Sequence, residues 1–165
     1  MNADALSDLV LLAACAASAW RVGSGRAAWR GAMLLLGMAA AMGVLRYSGL
    51  ARALGPHRFF SLLAACVAFW LMAVALRWPQ APLASQATAV GRFVVLLGGL
   101  GIAASQVGAG WWAQVVPGLS ALVLVWTMVQ LRSAMGLLGG IALVVSFVVA
   151  ALATPDAQLL GLFNK

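Results

Sequence analysis

Apolar residues fill this chain in about six blocks of roughly eighteen to twenty positions, and the arginines fall almost entirely in the gaps between the blocks. A hydrocarbon slab about 30 Å thick needs ~20 apolar residues of α-helix to cross it. Within lipid, helices satisfy every backbone N–H and C=O internally, which open strands cannot do. The pattern predicts an all-α fold: a polytopic helical membrane bundle of about six transmembrane helices joined by short loops. Its spans are expected over 3–20, 27–45, 59–76, 87–107, 111–131 and 134–153.

The punctuation between blocks supports those bounds. Gly23, Ser24 and Gly25 follow Arg21 as a turn, and Pro79 and Pro82 close the third span after Arg77 and Trp78. Gly108 and Gly110 make a tight turn into the fifth span, and Pro117 with Gly118 should kink that span about two turns in. Trp20, Trp29 and Trp78 sit at one set of helix ends, and Trp111 and Trp112 at the other, as interfacial aromatic belts do. Trp70 and Trp126 fall deeper and are expected to pack inside. The connector 46–58 is the longest gap; it is expected to be a loop or, over 48–54, a short interfacial helix.

Composition narrows the class. Of 165 residues, 65% are hydrophobic and 8% charged, so six helices use nearly the whole chain and 1–165 is expected to form one transmembrane domain. The net charge of +7 comes from basic residues scattered singly between spans, where they orient a membrane protein, so no nucleic-acid partner is expected. With six crossings, one side of the membrane receives Arg21, Arg26, Arg30, Arg77, Arg92 and Arg132. The other receives Arg46, Arg52, Arg58 and Lys165, together with Asp4, Asp8 and Asp156. The positive-inside count places both termini on the outer side, and a bacterial inner membrane is the expected location.

Candidate chemistry gathers on that second side. Alternating helix direction brings Asp8, near the start of the first span, to the same face as Arg46 and Tyr47 at the end of the second, and His57 and Arg58 at the start of the third. Gln106 and Gln114 reach this face from the turn between spans four and five. A lone carboxylate inside a membrane helix is costly unless paired, so an Asp8 to Arg46 ion pair is expected. The candidate ligand-binding set is Asp8, Arg46, Tyr47, Arg52, His57 and Arg58. Three arginines and a histidine against one carboxylate suit an anionic group such as a lipid phosphate, which arginine holds bidentately.

The expected function is therefore a small, non-catalytic membrane protein, whether transporter, channel or accessory subunit, that handles a lipid or an anionic small molecule. Its partners would be membrane lipids and, through close helix contacts, a second copy or another membrane protein. Proton-coupled carriers and cation pumps draw on acidic groups at mid-membrane depth, and no Asp or Glu falls there. A membrane enzyme acting on a lipid is the alternative, with His57 as general base, Asp8 orienting it and Ser61 or Tyr47 supplying a hydroxyl. A structural subunit whose polar cluster merely anchors it is a further alternative.

No cofactor or metal is expected. Met38 and Met42 stand one turn apart, and their spacing is similar to the methionine pair in the second helix of eukaryotic copper-uptake channels, with Cys15 and Cys66 at comparable depth. That resemblance covers two residues, and the family has three spans. Small residues at four-residue spacing, Ala39 with Gly43, Gly99 with Ala103, and Gly136 with Gly140, are expected to let helices approach closely, within the chain or between copies.

Overall fold

The computed structural model describes residues 3–23, 25–108 and 112–153, and every regular element among them is helical. Ser24, Gly110, Trp111, Asp156 and Lys165 lie outside the described residues, as does the side chain of Gln114. Helices α1 (Ala3–Arg21) and α2 (Ala27–Tyr47) form an antiparallel hairpin. Gly37 lets α1 settle close to α2, with the Cys15 Cβ 3.6 Å from where a side chain at that glycine would begin. Farther along, the Trp29 indole N–H donates to the Ser18 hydroxyl at 2.9 Å, so this tryptophan is tied into the hairpin as well as standing at a helix end.

The third span starts earlier than the apolar pattern indicates. After a turn at 48–50, with Gly49 at φ +101°, one rod runs over Ala51–Arg77. It is assembled from a 3₁₀ turn (Ala51–Ala53), α3 (Leu54–Leu63), a π turn (Ala64–Ala68) and α4 (Phe69–Arg77). Arg52, His57 and Arg58 therefore stand on helix, not on a connector loop. Pro56 is compatible with this because it is the third residue of α3, where backbone N–H groups have no intrahelical partner to lose. In the π turn, Ala64, Cys66, Val67 and Ala68 are buried, and Cys66 packs against Gly101. Such a turn adds a residue to the helical repeat and rotates the remainder of the rod.

A short helix α5 (Pro82–Ser85) that the apolar pattern does not reveal buries Ala84 and leads into α6 (Ala87–Gln106). Helices α7 (Trp112–Gln130) and α8 (Ala134–Ala153) close the chain as a second hairpin. Helix α2 is the hub and touches α1, α3, α4, α5 and α6, whereas α7 packs on the π turn, α4 and α6 and carries α8 on its outer side. The core forms where α2, the rod, α6 and α7 meet, and alanines dominate it: Ala28, Ala32, Ala64, Ala68 and Ala75 surround Leu71 and Val67. Small residues at helix contacts are what membrane packing selects, since lipid gives no hydrophobic drive for helices to associate.

Outward-facing positions are large and apolar, among them Leu34, Val95, Leu96, Leu122 and Leu138. A surface of that kind is too large and continuous for a water-soluble monomer. Four helical rods, Ala3–Arg21, Ala27–Tyr47, Ala51–Arg77 and Ala87–Gln106, are long and apolar enough to cross a membrane, and two shorter apolar segments, Val115–Gln130 and Ala134–Ser146, come after them. The chain is a helical membrane protein. Trp126 corrects one expectation: it is exposed on α7, one turn before the helix ends at Gln130, so it faces outward near an interface instead of packing inside.

Candidate functional site

The polar face is built on the backbone of α2 between Ala39 and Tyr47. Gly43 is buried and carries no side chain, and the Asp8 carboxyl of α1 lies in the space that a side chain there would occupy, with Cγ 2.7 Å from the ideal Cβ position. One turn deeper, the Ala39 carbonyl oxygen lies 3.4 Å from His57 Nδ1 on α3. The small pair Ala39 and Gly43 thus admits two polar side chains to the α2 backbone, one from each neighbouring helix. Sequence reasoning treats that pair as a packing contact, and its role as a seat for Asp8 and His57 emerges only from the register of the three helices.

His57 is half-buried and central. Its ring meets the Tyr47 ring edge-on, with centroids 5.9 Å apart and planes at 71°. The Ser61 hydroxyl is 3.5 Å from the same Nδ1, one turn along α3. The two contacts ask opposite things of Nδ1: a proton there serves the Ala39 carbonyl, and a lone pair there accepts from the Ser61 hydroxyl.

The expected ion pair between Asp8 and Arg46 is not formed. Arg46 instead holds its guanidinium over the neighbouring Tyr47 ring, with Cζ 4.9 Å from the centroid. The physical reason lies in the seat: with no side chain at Gly43, Asp8 settles onto the helix backbone three residues inward of Arg46, about 4.5 Å of helix rise, while the arginine turns to an aromatic face that attracts cations.

Arg52 and Arg58 are exposed on the 3₁₀ turn and on α3. Among the described residues none of Arg46, Arg52 and Arg58 has a carboxylate partner within ion-pair distance. The structure thus brings Asp8, Tyr47 and His57 together with Arg46 at their edge, and sets Arg52 and Arg58 at the same end of the bundle with no carboxylate partner among the described residues. Gln106 is exposed at the end of α6.

The two cysteines do not converge. Cys15 faces Gly37 between α1 and α2, whereas Cys66 faces Gly101 on α6, and no group of three or more His, Cys, Asp or Glu among the described residues is placed to hold a metal. An open, apolar cleft of about 210 Å³ lies between α1 and α2, lined in part by Leu12, Ala16, Met33, Leu34 and Met38. Compared with protein-family models, with curated proteins and with solved structures, the chain has no match.

Proposed function

We propose that this protein binds an anionic group, of which a lipid phosphate is the leading case, at the membrane face where α2 ends and the third rod begins. The observation that carries the reading is the set of three guanidiniums at one end of the bundle, Arg46, Arg52 and Arg58, none of them in ion-pair contact with a carboxylate among the described residues. Arginine at the headgroup level holds phosphate oxygens bidentately, and a leaflet rich in anionic lipid supplies them. Tyr47 and His57 add hydrogen-bonding groups beside the guanidiniums. The role we assign is non-catalytic: a transporter, channel or accessory subunit of a membrane assembly, with the chain crossing the bilayer six times.

The test is native mass spectrometry of the full chain in mixed micelles of phosphatidylglycerol and phosphatidylcholine. Retention of phosphatidylglycerol is expected to be lost when Arg46, Arg52 and Arg58 are all changed to Gln. It is expected to persist when Arg21, Arg26 and Arg30, on the opposite face, are changed instead. Equal loss in both variants would reduce the arginines to general membrane anchors and remove the site.

A further inference from the structure

Inward of Arg46, two ionisable groups from neighbouring helices are seated one turn apart on the α2 backbone. Asp8 rests on Gly43, His57 reaches the Ala39 carbonyl one turn away, and the two interact electrostatically. From these positions we infer that anion binding at this face is proton-linked, with His57 and Asp8 taking up the proton that accompanies the anion. The inference rests on the anion-binding reading above and assigns that site its regulation.

The charged and titratable groups that the elements packed around His57 carry at this end of the bundle are few. From α1 come Asp8 and, one turn farther out, Asp4; from α2 come Arg46 and the Tyr47 phenol; its own rod adds Arg52 and Arg58. Helix α6, which also packs on α3, carries a single charge, Arg92, near its opposite end. When His57 is neutral and Asp8 is ionised, the carboxylate is a standing anion beside the arginines and opposes a second one. When His57 is protonated, or Asp8 is neutral, that opposition is removed.

The sign comes from linkage. A negative ligand held by Arg46, Arg52 and Arg58 favours the protonated form of any nearby group, so the bound state holds more protons than the free state. Reciprocally, protons strengthen anion binding, and affinity falls as pH rises. Asp8 sets how far the affinity drops, because its charge is what the anion must overcome once His57 is neutral.

The experiment titrates the detergent-solubilised full chain with dihexanoyl phosphatidylglycerol, a phosphodiester whose charge is constant in this range, at about pH 5.5 and about pH 8. A parallel titration uses sulfate, a free oxyanion of equally fixed charge. The unmodified chain is expected to bind the lipid at least about fivefold more weakly at the higher pH, a typical coupling between two sites. His57→Gln is expected to flatten the profile at the weaker level. Asp8→Asn is expected to bind more tightly than the unmodified chain at the higher pH, a gain that misfolding cannot produce. A sulfate profile of the same slope assigns the site to oxyanions in general, and a slope with the lipid alone assigns it to a headgroup. A flat profile in the unmodified chain, or an unchanged slope in both variants, overturns the proton linkage while leaving anion binding intact. No saturable binding of either probe at either pH overturns the anion-binding reading itself, and the linkage with it.

Discussion

At the scale of single residues, Gly43 and Arg132 carry the clearest consequences. Alanine normally stabilises a helix interior over glycine by about 0.5 to 1 kcal/mol. At Gly43 the added Cβ would run into the Asp8 carboxyl, and displacing it costs about 1 to 3 kcal/mol, in the range of overpacked cores. Gly43→Ala is therefore expected to destabilise the protein, whereas the same change in an Asp8→Ala background should be neutral or stabilising. Unfolding in mixed micelles, read as a double-mutant cycle, checks this, and additive effects would show that Asp8 does not occupy the seat. Arg132, in the turn between α7 and α8, adopts φ +52°, a left-handed conformation that costs a side-chain-bearing residue about 1 to 2 kcal/mol. Arg132→Gly should raise thermal stability by about 1 kcal/mol in the same assay, and no gain would mean the turn relaxes without strain.

At the scale of helices, the sequence was most legible where apolar blocks and turn residues agree. Spans one, two, four and six begin and end within about two residues of expectation, because Gly and Arg clusters mark most of their ends. The start of the third rod was not legible: a stretch with Arg52, Gly55, Pro56, His57 and Arg58 reads as a loop by composition, yet packing against α2 and the tolerance of an early helix turn for proline carry it into helix. The π turn was hidden as well, since Ala64 to Ala68 has ordinary helical composition and only its packing against α6 and α7 exposes the added residue.

The small-residue pairs divided according to their neighbours. Gly140 receives the Val125 side chain, 2.9 Å from the ideal Cβ position, so the Gly136 and Gly140 pair holds α8 to α7. Beside Gly99 there is open space among the described residues, with no side chain or neighbouring helix within 4 Å of its ideal Cβ position. Because α8 rests mainly on α7, Gly140→Leu should loosen α8 without disturbing the core around α2. Hydrogen exchange is expected to rise over 134–146 and stay unchanged over 27–47. Exchange rising in both segments would show that α8 supports the whole bundle.

At the scale of the molecule, the membrane class stands on the block pattern of the sequence together with the apolar outward surface of the folded chain. The cluster was legible only in part. Alternation of helix direction correctly gathers Asp8, Tyr47 and His57 at one end, but counting residues cannot tell which side chain a backbone seat will receive. The expected Asp8 to Arg46 pair failed for that reason, since the space at Gly43 and the ring of Tyr47 compete for its two members.

Orientation decides which compartment the Asp8 and His57 pair meets, and it rests on charge. With six crossings, as proposed, six basic residues of the described chain (Arg21, Arg26, Arg30, Arg77, Arg92 and Arg132) fall on the side of the α1 to α2 turn, and three (Arg46, Arg52 and Arg58) fall on the side of the cluster with Asp4 and Asp8. Basic loops are retained on the cytoplasmic side, so the cluster is expected to face outward. Exposed positions at both ends make this measurable: Ser48 caps α2 beside the cluster, and Gly25 lies in the turn before that helix. In a chain with Cys15→Ala and Cys66→Ala, Ser48→Cys should react with a membrane-impermeant maleimide in intact cells, and Gly25→Cys only after permeabilisation. The reverse pattern would turn the bundle over and expose the cluster to the cytoplasm, where the pH is held near neutral and a proton-linked site would sit close to its weak-binding state.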